Sequence, residues 1–208
     1  MKKLLDSIER LKKSPIKKQI DLRAKEFEAL GQKRAAQIFN ELCFCLMTAN
    51  FNAQRSIDIQ KAIGDGFHTF SPKQMAQKLK ALGHRFPNTR AKFIIEARKH
   101  KSELSKFVKT RLKDYQFRDW LVKNVKGLGH KEASHFLRNI GRKDCAIIDF
   151  HILDLLQDCG LVKKKKPISK KIYLEVEEIL KNIAKKSGLD LGKLDLYLWY
   201  LETGKILK

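Results

Sequence analysis

The segment Val125-Lys126-Gly127-Leu128-Gly129-His130-Lys131-Glu132-Ala133-Ser134 constrains this chain more than any other. It sets an apolar-x-Gly-apolar-Gly turn between two stretches of helical periodicity, the pattern of a helix-hairpin-helix over about 116–140. Glycines at 127 and 129 let the backbone come close to a phosphate and offer its N–H groups to it. Lys131 then falls in the first turn of the second helix, where the helix N-terminus carries partial positive charge. Eighteen residues further on, Asp149 stands in Ile147-Ile148-Asp149-Phe150-His151.

Charge says what the hairpin meets. Lys and Arg number 45 against 23 Asp and Glu, a net +22 over 208 residues. Such an excess calls for a polyanion, nucleic acid before anionic membrane. Adaptation of the whole surface to heat would raise Glu along with Lys, which the imbalance does not show. No apolar run reaches the length of a membrane span, and the first residues carry acids early without a secretory apolar core. These features predict an intracellular protein, in the cytoplasm or nucleoid, with no membrane partner.

Apolar residues recur at helical spacing almost throughout, and strand signals are nearly absent, so the fold class is all-α. Ser14-Pro15 reads as a cap and first-turn proline, with Gly31 closing that helix. Ala35, Ile38, Phe39, Leu42, Cys43 and Leu46 form one apolar stripe, and the periodicity breaks at 48–52. A helix then runs to about Ile63. Ser71-Pro72-Lys73-Gln74 is a capping box, Gly83 ends its helix, and Asn88 is the next expected cap. Helices follow over about 89–100, 103–112, 116–125 and 130–140, with Gly141 just past the last. Asp149 begins one to about Cys159, and two more cover about 170–186 and 190–202. Lys163 to Lys166 with Pro167 read as a basic, solvated connector.

Lys131 as a neutral amine could attack the anomeric carbon of a nucleotide as the base departs; burial, nearby cations and the helix field all lower an amine below its free value near ~10.4. Asp149 is an N-cap by position. That role is compatible with catalysis, because capping amides orient the carboxylate and keep it ionised beside developing positive charge. Asp144, in a polar connector, is expected to be solvated. Phe86, on a loop before Pro87, is either an exposed ring for stacking or a loop anchor. His135 shares a helical face with Lys131 and could border the same pocket. Cys43, Cys45, Cys145 and Cys159 form no C-x-x-C pair and read as free, buried thiols, and the histidines form no zinc cluster. No metal and no cofactor is expected.

The hairpin, its lysine and the downstream aspartate resemble the helix-hairpin-helix superfamily of DNA glycosylases. The segment 126–139, together with Leu42-Cys43-Phe44-Cys45-Leu46-Met47-Thr48-Ala49-Asn50-Phe51, Gly83-His84-Arg85-Phe86-Pro87 and Asp195-Leu196-Tyr197-Leu198-Trp199-Tyr200-Leu201, is similar to the second type of 8-oxoguanine DNA glycosylase, found in archaea and some bacteria. That resemblance implies residues 1–208 as one compact unit of two helical lobes flanking an active-site cleft. It implies a bifunctional enzyme acting on duplex DNA that contains 8-oxoguanine. Lys131 would displace the flipped base, form a Schiff base with the deoxyribose and allow β-elimination, with Asp149 as catalytic carboxylate. Lys208 would reach the base pocket and bring a carboxylate to the oxidised purine. Trp199 would wall that pocket while also anchoring a core. The Asn50 loop, by analogy with the superfamily, would enter the duplex and fill the gap left by the flipped base. No cysteine set for the iron–sulfur cluster of some relatives follows Asp149. A hairpin cation is compatible with the superfamily and invisible in the sequence. The enzyme is expected to be a monomer. Two alternatives stay open: a glycosylase/lyase for oxidised pyrimidines or another lesion, and a non-enzymatic DNA-binding hairpin.

Overall fold

A computed structural model describes residues 1–110, 112–163 and 169–208. Among them there are helices and no strands. The helices are α1 (Lys2–Lys12), α2 (Ile16–Gly31), α3 (Ala35–Thr48), α4 (Ala53–Ile63), α5 (Gly66–Thr69), α6 (Pro72–Ala81), α7 (Pro87–Ala97), α8 (Lys101–Lys109), α9 (Asp114–Asn124), α10 (His130–Asn139), α11 (Phe150–Asp158), α12 (Lys170–Ser187) and α13 (Leu191–Thr203). The expected all-α class therefore holds.

Helix α3 is the axis of the larger core. From Ile38 to Thr48 nearly every residue is buried, Phe44, Cys45 and Met47 included, whereas Ala35 is exposed. A stripe understates it, because a helix packed by α2, α4, α5, α7, α8 and α10 has no solvent face left to be polar. This core takes in α3 to α10. A second gathers Leu4 and Ile8 of α1 with α11, α12 and α13, so the chain's first helix packs with its last ones. A third, small cluster joins Ile20 and Phe27 of α2 to Leu196 and Tyr197 of α13.

Local signals decided most helix ends. The Ser71–Gln74 capping box forms in both directions, and Asp149 caps α11 by accepting from the Ile152 N–H at 3.0 Å. Two expectations fail. The Ser14 hydroxyl donates to the Leu11 carbonyl at 2.8 Å, so it finishes α1 and does not cap α2. Asn88 is not a cap, since α7 already begins at Pro87, where a missing N–H loses nothing. Gly31 does close α2 as expected, and for a packing reason: a Cβ there would lie 2.2 Å from the Ile140 carbonyl oxygen, so the glycine lets α2 touch the end of α10. The stretches read as 89–100 and 103–112 are α7, a 3-10 turn at Arg98–His100, and α8. Lys163 is exposed; the remainder of the expected basic connector, 164–167, lies outside the described residues.

Candidate active site

The hairpin joins α9 to α10 through residues 125–129, with Val125 and Leu128 buried beneath it. Gly127 has φ +92°, and a Cβ there would meet the Phe93 ring at 2.3 Å. Gly129 occupies the N-cap of α10, and its N–H donates to Glu132 Oε2 at 3.3 Å. Gly127→Ala should therefore lose about 1–2 kcal/mol of stability through the left-handed backbone alone. Denaturant titration reads that loss, and weaker binding to a plain duplex should accompany it.

Lys131 lies in the first turn of α10, its side chain 26% exposed, with Glu132 Oε1 at 4.0 Å from Nζ. Asp149 arrives on an irregular buried segment, Cys145 to Ile148, that leads into α11. Backbone polar groups in such a segment need partners, and α12 supplies them. The Ala146 N–H donates to Glu177 Oε1 at 2.8 Å, the Ile148 N–H to the Tyr173 hydroxyl at 3.3 Å, and that hydroxyl to the Ala146 carbonyl at 2.7 Å. Glu177 in turn holds Arg118 of α9 through both oxygens, at 2.5 and 2.9 Å, and Arg118 also donates to Ser134 of α10. Burial disfavours the Arg118 charge, but the Glu177 pairing outweighs it and raises its pKa. One buried ion pair thus ties both helices of the hairpin to the strap that carries Asp149.

Helix α13 closes the site from the other side. Asp195 is largely buried and accepts from Arg138 Nη1 at 2.6 Å. Burial pushes its carboxyl up to about 6; Arg138 and Lys131 act to lower it, and the charge of Asp149 to raise it. Asp195 therefore lies within electrostatic reach of both Lys131 and Asp149. One turn on, Trp199 meets the His151 ring edge-on at 5.2 Å, and His151 stacks on exposed Phe150 at 4.1 Å. His135, one turn beyond Lys131, is buried with its ring edge-on to Phe44 at 5.6 Å. Burial holds its pKa well down, with Arg138 and Lys131 adding to the effect, and a backbone hydrogen bond links it to Lys208. Lys131, Asp149, His135 and Lys208 are thus connected by contact or charge, and Trp199 touches His151, two residues past Asp149. Trp199 Nε1 and His135 Nδ1 are buried without a hydrogen-bond partner.

Asn50 and Phe86, far apart in sequence, sit on adjoining loops. The buried His84 binds them: its Nδ1 accepts from the Phe86 N–H and its Nε2 donates to the Met47 carbonyl, both at 3.0 Å, while its ring packs on Phe51 at 4.2 Å. The Arg90 guanidinium donates to the Ala49 carbonyl at 2.6 Å and interacts electrostatically with Glu132. Phe86 is exposed between Arg85 and Arg90, whose guanidiniums lie 5.0 and 5.9 Å from its ring centre. Asn50 is exposed with φ +56°, the one described non-glycine residue in the left-handed region. Asn52, not Asn50, caps the next helix.

Residues 20–189 match the family model described as 8-oxoguanine DNA glycosylase. The chain belongs to the 8-oxoguanine DNA glycosylase family. A Korarchaeum cryptofilum 8-oxoguanine DNA glycosylase/AP lyase is 50% identical over 99% of this chain and 98% of its own length. The corresponding protein of Methanocaldococcus jannaschii is 48% identical over 99% of each. The crystal structure of the Methanocaldococcus jannaschii 8-oxoguanine glycosylase/lyase in complex with a 15mer DNA containing 8-oxoguanine superposes with a TM-score of 0.95 at 47% identity, covering 99% of both chains. The Thermotoga maritima 8-oxoguanine DNA glycosylase structure gives 0.94 at 45% identity, over 100% of this chain and 99% of that one.

For this family member, sequence reasoning passed over the charged residues that brace the site: Arg90, Arg118, Arg138, Glu177 and Asp195. Glu177 and Asp195 each interrupt an apolar helical face, which was the available signal. Burial raises the thiols of Cys43 and Cys45 well above their usual range and pushes Cys145 up to about 12, while Cys159 is only half-buried. Asp144 is exposed, as expected.

Four buried or half-buried histidines make the fold sensitive to acid. Burial lowers the pKa of His68, His84, His130 and His135 below 6.5, so the unfolded chain binds protons that the folded one refuses. Their stabilisation is complete above about 6.5 and lost as pH falls through the folded values. Asp195, raised to about 6 by burial, and Asp144, raised by desolvation and by the charge of Asp114, work the other way, as two groups against four. Urea midpoints should drop between pH 7.5 and 5.5.

Proposed function

We propose that this protein excises 8-oxoguanine from duplex DNA and nicks the strand behind it. Lys131 is the amine nucleophile: it displaces the base by forming a bond to the anomeric carbon, then carries the sugar as a Schiff base through β-elimination. Asp149, held at the tip of α11, stabilises the positive charge that builds on the sugar and orients the proton transfers. The carrying observation is the arrangement itself. Lys131 stands on the hairpin's second helix, and Asp149 is delivered by a strap that the hairpin's own helices anchor through Arg118 and Glu177.

The flipped base is received between Trp199, His135 and Lys208, where two buried polar atoms still lack partners. Phe86 contributes its exposed ring to base contact. The Gly127–Gly129 backbone takes a phosphate, and Asn50, on the loop fastened to that of Phe86, fills the space left in the duplex. The larger core and the α1/α11–α13 core form the two lobes of a single unit over 1–208, with these residues along the cleft. The reaction needs no cofactor. Among the described residues no helix is long and apolar enough to cross a membrane. A monomer in the cytoplasm or nucleoid fits one enzyme acting on one lesion, and the net +22 makes binding steeply salt-dependent.

Borohydride trapping on matched duplexes tests the reading. An adduct on the 8-oxoguanine duplex, absent from the undamaged one, is expected. An adduct confined to oxidised pyrimidine would keep the chemistry and overturn the substrate. No adduct on any duplex, with binding intact, would leave a lyase-inactive glycosylase or a binding module.

A further inference from the structure

Glu41 is out of place. It lies in the middle of α3, 3% exposed, in a run that is otherwise almost wholly apolar. A buried carboxylate is costly unless it is fully paired, and a leucine would fill the same position without that cost. Its pairing is complete and reaches far. Oε1 accepts from Asn139 Nδ2 at 2.6 Å. Oε2 accepts from Lys208 Nζ at 2.8 Å and from Gln60 Nε2 at 3.3 Å. Gln60 returns the contact, its Oε1 accepting from Lys208 at 2.5 Å, and is itself fixed by the Asn40 carbonyl. The Lys208 ammonium also sits 4.3 Å from the centre of the Phe44 ring.

What this network holds is the segment after α13. The helix stops at Gly204 in the left-handed region. Beyond it, Ile206 packs on the small α2/α13 core, and Lys208 is tied to α3, α4 and α10. From Asn139 the network continues: Arg138 Nε donates to Asn139 Oδ1 at 3.0 Å, and Arg138 reaches Asp195 at 2.6 Å.

We propose that Glu41 is a positioning residue that latches Lys208, and so shapes the wall against which the flipped base is read, without taking part in strand cleavage. This rests on the reading of Lys208 as a base-pocket residue. Buried at 3% exposure, Glu41 acts through Lys208 and Asn139. Holding one long, flexible side chain by a carboxylate, an amide and an aromatic face removes the rotamer freedom that would otherwise blur the pocket.

The test separates base reading from sugar chemistry by using two substrates. Full-length Glu41→Gln keeps the volume and removes the charge. On the 8-oxoguanine duplex its kcat/KM should fall about ten-fold, the loss expected when a charge-assisted hydrogen bond becomes neutral. On a duplex with a preformed abasic site, where no base has to be recognised, nicking and borohydride trapping should stay within about two-fold. Gln60→Ala, at a half-buried position, should move the same ratio in the same direction and serves if Glu41→Gln does not fold. Equal losses on both substrates would mean a purely structural role and overturn the proposal. If Lys208→Met impairs 8-oxoguanine excision while Glu41→Gln and Gln60→Ala do not, the latch is wrong and the pocket reading stands. If Lys208→Met also leaves excision unchanged, the pocket reading itself fails.

Discussion

Lys131→Gln should remove the borohydride-trapped adduct altogether and slow strand nicking on the order of 10⁴-fold, about 5.5 kcal/mol of barrier. Glutamine, one bond shorter, retains the polarity and the helix propensity of the position, but its amide cannot form a bond to the anomeric carbon or a Schiff base. Binding to the lesion duplex should change little, since one lysine among 45 basic residues carries a small part of the phosphate attraction. Asp149→Asn is the companion experiment. An asparagine oxygen can still accept from the Ile152 N–H and cap α11, so the variant should fold with a near-normal melting temperature yet excise poorly. Gel-resolved single-turnover kinetics with a fluorescent duplex measures both. A trapped adduct in Lys131→Gln would move the nucleophile to another amine and sink the assignment.

The largest loss of stability should come from Glu177→Ala. It strands the Arg118 guanidinium, whose side chain is 2% exposed, without its counter-charge, and it orphans the Ala146 N–H. Removing one partner of a buried pair costs about 3–5 kcal/mol. At roughly 2–4 °C per kcal/mol for a chain of this size, the melting temperature should drop by about 10 °C. Activity should fall further than folding explains, because the freed strap carries Asp149. The double variant Arg118→Met/Glu177→Leu separates the two effects. An apolar pair can restore much of the stability, yet it offers the Ala146 N–H no acceptor, so excision should remain impaired. Calorimetry together with single-turnover rates reads both parts. Full recovery of activity in the double variant would show that the ion pair does not position Asp149.

Fold and site were legible to different extents, for physical reasons. Helical periodicity, the 71–74 capping box and the Asp149 cap depend on neighbours three or four residues apart, so they could be read directly. Lys131, Gly127 and Gly129 belong to one contiguous hairpin, and their spacing carries their geometry. The failures at Ser14 and Asn88, and the packing reason behind Gly31, share a cause. A hydroxyl beside two helix ends can serve either, a proline can begin a helix with no cap before it, and a glycine needed for close approach looks the same as one needed for a turn. Nothing local marks the difference.

The sequence by itself determined an all-helical chain, a glycine hairpin with Lys131 in the first turn of its second helix, Asp149 as the cap of a later helix, and a net charge of +22. Each of these is written in short-range spacing or in composition. Only the tertiary structure decided that Glu177 and Arg118 brace the strap behind Asp149, that Asp195 comes within electrostatic reach of Lys131 and Asp149, that His84 joins the loops of Asn50 and Phe86, and that Glu41 meets Lys208 across 167 residues of chain. Those are contacts between charged or polar groups from distant segments. Their energies depend on burial and pairing, and neither exists until the helices have packed.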